Sequence, residues 1–190
     1  MTFKLALKEN IELKKKLIKI ENEVKKAIQI ITDTLKKKGK ILICGNGGSA
    51  ADAQHLTAEF LIRLKPNRNR EPYPILSLAM DTSTLTACGN DLGFEKIFSR
   101  NLDALGNNND LLIIISTSGT SKNIIEALKM ARKKGIKSLG LLGSGGGVAK
   151  KYSDLKIIVP SKITARIQEA HIFLGHHIFE SVEDQLIRKL

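Results

Sequence analysis

The sequence predicts an α/β fold: a doubly wound five-stranded parallel sheet with an added N-terminal helix. Three observations predict it. Five short apolar runs, at 40–44, 75–79, 111–116, 138–142 and 154–159, lack the inside–outside alternation of half-exposed strands, as strands covered on both faces do. Helical stretches separate them. Glycine- or hydroxyl-rich loops follow the first and third runs, at the strand ends where such sheets bind ligands.

The elements follow in order. Residues 3–37 read as one helix, because Val24, Ile28, Ile31 and Leu35 keep the 4-3-4 spacing of a single buried stripe. Gly39 is expected to end it. The first strand leads through Gly45-Asn46-Gly47-Gly48 into a helix over about 49–64. Pro66, Pro72 and Pro74 mark a polar loop before the second strand, and 81–105 is helical in character. The third strand enters Ser116-Thr117-Ser118-Gly119-Thr120-Ser121 and then a helix over about 122–134. Ser144–147 after the fourth strand reads as a flexible turn, and a last helix covers about 164–190. The 190 residues, 42% of them hydrophobic, suit one domain, with 1–38 as a helical extension and 39–190 as the α/β core.

Composition narrows the function. No apolar stretch reaches the ~18 residues of a membrane span. The N-terminus has no apolar leader, and Cys44 and Cys88 form no CxxC pair, so a cytoplasmic protein with free thiols is expected. The net charge is +12; residues 1–40 hold 12 Lys against 5 acids, and the basic arm reads as a solvated helix face. No aromatic side chain sits among the basic ones of 5–40, so nucleic-acid stacking has no support there.

Two loops suit an anion. Glycines 45, 47 and 48 let backbone N–H groups approach one at a helix start, although a tight turn alone would also need them. Read as G-x-G-x-x-A, the loop lacks an acid about 20 residues on; Asp81 comes too late. The hydroxyl loop places five hydroxyls in six residues, where a helix cap by Ser118 or Ser121 needs one. Such a neutral set of donors suits a phosphate monoester. No G-x-x-x-x-G-K-[ST] is present to favour a triphosphate.

His55 and Glu59, four apart on a helix, share one face and can act as an acid–base pair or hold a metal ion. His171, His176 and His177 are three of the four histidines, in one seven-residue window. For His171 and His177 a structural place is the expectation.

These residues resemble the sugar isomerase (SIS) domain family, and within it the phosphoheptose isomerases, over nearly the whole chain. The resemblance rests on CGNGGSAADAQHLTAEF at 44–60, CGNDLGFEKIFSR at 88–100, ISTSGTSKNI at 115–124 and ARIQEAHIFLGHHI at 165–178. It implies a flavodoxin-like sheet and an aldose–ketose isomerase. The substrate would be sedoheptulose 7-phosphate and the product D-glycero-D-manno-heptose 7-phosphate, a precursor of heptose in bacterial lipopolysaccharide or capsule. Asn46, Gly47 and Gly48 resemble a substrate-contacting loop, Asn90 and Asp91 a pair that contacts the sugar, and Ser116, Thr117, Ser118 and Ser121 a phosphate cage. His55, Glu59, Gln168 and His176 resemble the ligands of one zinc per subunit, with Glu59 and Gln168 also touching substrate and Glu59 and His176 as acid–base residues. The alternative is the non-enzymatic branch that binds the replication initiator DnaA, in which the Glu59 and His176 equivalents are replaced.

The resemblance also implies a homotetramer. Gln168 and His176 are eight residues apart, so on one straight helix they stand ~12 Å apart along the axis, at ~1.5 Å per residue. Either Gln168 precedes the regular helix, or the two ligands come from different subunits. The second option is expected, with each active site at a subunit boundary and with Glu59 and His176 chains complementing each other when mixed.

Overall fold

The computed structural model describes residues 2–79 and 81–187. Two helices, α1 (Phe3–Leu17) and α2 (Glu21–Lys36), take the place of the single helix expected over 3–37. A 3-10 turn at Ile18–Ile20 separates them, with Ile20 out of helical conformation at φ −107° and ψ 18°. Glu21 and Glu23 then open α2, where acidic side chains complement the helix dipole. The stripe of Val24, Ile28 and Ile31 is buried as expected, with Leu35 packed at its edge. The end of α2 differs from expectation in its mechanism. Lys38, not Gly39, takes the left-handed conformation at φ 60°. Gly39 is needed because a Cβ there would lie 2.1 Å from the Asn109 carbonyl oxygen.

The remaining elements are β1 (Ile41–Gly45), α3 (Gly48–Leu61), β2 (Ile75–Ser77), α4 (Thr82–Asp91), α5 (Ile97–Leu105), β3 (Leu111–Ser116), α6 (Lys122–Lys133), β4 (Lys137–Leu142), β5 (Leu155–Ile158) and α7 (Thr164–Ile187). Residues 188–190 of the expected last helix lie outside the described residues. The five strands form one all-parallel sheet in the order β2-β1-β3-β4-β5. Strand order reverses between β1 and β3, which pair from Ile41↔Leu111 to Gly45↔Ile115. Their loops therefore leave the same sheet edge side by side, at the switch point where this topology opens a crevice.

The unbroken apolar runs follow from two cores. Ile41, Ile43, Leu111, Ile113 and Ile115 face a layer built from α1, α2, α3 and α7. Leu42, Cys44, Leu112 and Ile114 face α4, α5 and α6. Successive strand residues thus serve opposite layers, and neither face tolerates a polar run.

Helices α3 and α7 lie side by side on the first face. Both return against the parallel strands, so they run in the same direction. Two glycines set their spacing. A Cβ on Gly48 would lie 2.3 Å from Gln168 Nε2, and one on Gly175 would lie 2.6 Å from Leu56 Cδ1. Phe60 closes the far end, stacked on Phe179 with centroids 4.2 Å apart and tilted against Tyr73 at 5.1 Å. Among the described residues no helix is long and apolar enough to cross a membrane.

Candidate active site

The glycine loop is fastened to the start of α6. Asn46 Nδ2 donates to Asn123 Oδ1 at 2.9 Å, and Asn123 Nδ2 donates back to Asn46 Oδ1 at 2.8 Å. This reciprocal pair occupies one donor and one acceptor of each amide. Asn123, which no sequence motif singles out, is buried. Gly47 has φ +55°, a backbone conformation that favours glycine.

The hydroxyl loop curls on itself. Gly119 N–H donates to Ser116 Oγ at 3.0 Å, and Thr120 donates from both its N–H and its hydroxyl to Ser118 Oγ. Ser121 is the N-cap residue of α6, yet its side chain makes no capping bond. The helix therefore does not use the hydroxyl that a cap would have used. The segment Ser144–Gly146, expected as a flexible turn, instead forms a 3-10 turn that packs against this loop. A Cβ on Gly119 would lie 2.1 Å from the Gly146 carbonyl oxygen, and one on Gly147 would lie 2.5 Å from that of Ser118. Ala149 N–H donates to the Gly119 carbonyl at 2.8 Å. The run of glycines is what allows two backbones to touch here. Its position after β4, at the ligand-binding edge, was the available signal.

Three side chains converge within one chain. His55 Nε2 stands 3.0 Å from His176 Nε2 and 3.1 Å from Glu59 Oε1, and His176 Nε2 stands 3.1 Å from Glu59 Oε2. Helix α3 supplies His55 and Glu59 one turn apart, and α7 supplies His176, next to the Gly175 that lets the helices close up. Glu59 Oε2 is buried without a hydrogen bond. Asp52 lies one turn before His55, and its Oδ2 is likewise buried and unbonded. Burial pushes the Asp52 carboxyl above the usual range, and the fields of His55 and His176 pull it back less strongly.

The other candidates stand apart from this trio. Gln168 lies inside regular α7, with its amide against Gly48, so the option that it precedes the helix is set aside. Eight residues of helix separate it from His176, ~12 Å along the axis. The expected complementation between Glu59 and His176 on different chains is also corrected, because the two meet in one protomer. Asn90 and Asp91 are exposed at the end of α4, with Asn90 Nδ2 donating to Asp91 Oδ1 at 2.8 Å. Asp81 has a local use as the N-cap of α4, accepting from Thr84 N–H at 2.6 Å. His171 is fully buried, as its structural reading expects, and His177 is exposed.

Comparison with known proteins gives the same picture. The model of the SIS domain matches residues 8–143. The phosphoheptose isomerase of Campylobacter concisus is 54% identical over 158 residues, which are 83% of this chain and 82% of that protein. The structure of phosphoheptose isomerase GmhA from Neisseria gonorrhoeae superposes with a TM-score of 0.88 at 39% identity, covering 95% of this chain and 96% of that one. A phosphoheptose isomerase from Francisella tularensis superposes with a TM-score of 0.89 at 32% identity, covering 97% and 100%. On the grounds of the matched domain and of these relatives, the chain belongs to the SIS domain family and, within it, to the phosphoheptose isomerases.

Proposed function

We propose that this protein is an aldose–ketose isomerase that converts sedoheptulose 7-phosphate to D-glycero-D-manno-heptose 7-phosphate. The observation that carries the proposal is the meeting of Glu59 and His176 at 3.1 Å, between two adjacent helices of a phosphoheptose isomerase fold. Glu59 takes the C1 proton of the open-chain ketose, giving a cis-enediol, and returns it to C2. O2 gains a proton as the enediol forms and O1 loses one as it collapses to the aldose, so the count of protons is unchanged. His176 carries these hydroxyl protons and assists ring opening. Ser116, Thr117, Ser118 and Ser121 hold the phosphate, with Asn46, Gly47, Gly48, Asn90, Asp91 and Gln168 around the sugar.

His55, Glu59 and His176 suit a zinc ion. Two imidazole nitrogens 3.0 Å apart need a proton or a cation between them, and Glu59 Oε2 is an orphaned acceptor beside them. Ligand atoms on a tetrahedral ion with bonds of about 2.0–2.1 Å stand about 3.3 Å apart, close to the separations found here. A bound zinc would supply Lewis acidity toward the substrate's carbonyl oxygen. Gln168 of the same chain is too far along α7 to join that set. A homotetramer with each site at a subunit boundary would let a neighbouring copy contribute. The product would feed surface polysaccharide, lipopolysaccharide or capsule, from the cytoplasm.

Retention of both Glu59 and His176 favours the enzyme over a DnaA-binding relative. The test is an assay of the purified protein on sedoheptulose 7-phosphate, before and after chelation, beside Glu59→Gln. The substitution keeps volume and removes the basic oxygen. Turnover is expected to fall by about 10³-fold or more; near-normal turnover in Glu59→Gln would overturn the assignment of the base, and no turnover in the wild type would overturn the reaction.

A further inference from the structure

A buried ion pair outside the acid–base pair joins its two helices. The side chain of Arg70 is 3% exposed and that of Glu183 is 1% exposed. Arg70 Nε stands 3.2 Å from Glu183 Oε2, a charge contact that is not aligned as a hydrogen bond. The guanidinium is directed elsewhere. Its Nη2 donates to the backbone carbonyl of Glu59 at 3.2 Å, and its Nη1 donates to that of Glu71 at 3.0 Å. Its plane lies over Tyr73, 4.3 Å from the ring centroid.

The geometry has a physical reading. Glu59 lies in the last turn of α3, where carbonyls run out of intrahelical donors and a cation complements the dipole. Glu183 follows His176 by two turns on α7 and so shares its face. Arg70 therefore ties the residue that carries the proposed base to the helix that carries its partner. A well-packed apolar pair of similar volume would stabilise a fold as well as a buried ion pair does. What the charges add here is reach to the backbone of Glu59.

We propose that Arg70, oriented by Glu183, is a positioning residue for the isomerisation. It fixes the last turn of α3 so that the Glu59 carboxylate faces His176. The proposal rests on the reading of Glu59 as the base.

Removing Glu183 alone would leave Arg70 buried without its anion, and removing Arg70 alone would leave Glu183 only the longer contact to Arg68 at 3.9 Å, so a single variant reads stability rather than position. The test is the double variant Arg70→Met with Glu183→Leu, which removes both charges at once. The half-buried ion pairs Arg68–Asp184 and Lys65–Glu180 still hold this loop to α7. The variant is expected to melt within a few degrees of wild type. Its kcat is expected to fall about tenfold or more with KM for sedoheptulose 7-phosphate within about twofold, since misplacing a reacting group by ~1 Å costs that much or more. Arg70→Lys, which keeps charge but not the fork, is expected to recover part of the loss. Cobalt(II) titration of the apo-proteins, followed by visible absorbance, reads the trio without turnover, and affinity is expected to drop about tenfold in the double variant. Unchanged kcat and cobalt affinity, or a loss confined to KM, would overturn the proposal. Should the double variant fail to fold, Arg70→Lys is judged by the same two measurements. If the wild type proves inactive on this substrate, the proposed function fails, and the cobalt comparison alone decides the role of Arg70.

Discussion

His171 shows how one side chain makes stability depend on pH. The imidazole of this α7 residue is fully buried beside the end of β4, and among the described residues neither ring nitrogen has an aligned hydrogen-bond partner. Burial pushes its pKa down to about 4, against a weaker opposing pull from the Leu142 backbone. The unfolded chain binds this proton near pH 6.5, and the folded protein only near pH 4. The neutral ring's contribution is therefore complete above pH 6.5 and is lost as pH falls toward 4, by about 3 kcal/mol in all. Urea unfolding at pH 7.5 and pH 4.5 is expected to show the drop, and His171→Phe is expected to flatten it. An unchanged slope in that variant would assign the acid sensitivity to other groups. The sequence favoured a structural place for this histidine, and its neighbours explain why. Ile167 and Ala170 belong to the same buried face. Nothing local could disclose Asn123, Arg70 or Glu183. Each takes its meaning from a partner brought close only by the fold, as Asn46 and Asn123 are across 77 residues of chain.

At the level of elements, strands were easier to read than helix joints. The run at 111–116 became β3 with the same bounds, because six consecutive apolar or small residues between turn signals admit little else. The break at Ile18–Ile20 leaves no mark in the sequence, because the apolar spacing continues across it and no Gly or Pro interrupts it. The pairing of α3 with α7 was equally hidden, since Gly175 inside a helical pattern carries no sign of what it faces. Gly175→Ala tests that contact. A methyl group there would lie 2.6 Å from Leu56 Cδ1, so the helices must part or Leu56 must leave its rotamer. Such overpacking costs about 1–3 kcal/mol. The variant is expected to melt lower and to lose about tenfold or more in kcat, because His176 is the next residue. A full-activity Gly175→Ala would show that the helix spacing is not critical to the pair.

On the scale of the whole molecule, the N-terminal helices keep a set of large apolar side chains exposed. Phe3, Leu5, Leu7, Ile11 and Ile18 are exposed there, and Phe173 is exposed on neighbouring α7 under the ammonium of Lys14 at 3.7 Å. The net charge of +12 would discourage close approach of copies unless apolar area were buried in return. With Gln168 left out of the trio in one chain, this face is where the proposed tetramer would form. Sedimentation equilibrium is expected to give four times the 20.9 kDa chain mass. Ile18→Asp with Phe173→Asp is expected to shift that mass downward and activity with it. A fully active monomer would refute the shared site.

The paired amides of Asn46 and Asn123 bear on how the protein ages. Asn46 precedes Gly47, and an Asn–Gly step is where a chain deamidates most readily. The glycine's backbone nitrogen attacks the side-chain carbonyl carbon, ammonia leaves, and a succinimide opens to aspartate or isoaspartate. That closure requires the Asn46 amide to turn toward the backbone nitrogen, and any such turn gives up both bonds to Asn123, at 2.9 and 2.8 Å. An aspartate formed there would set a charged oxygen against Asn123 Oδ1. The clasp that holds two loops together thus also shields the most perishable peptide step in them.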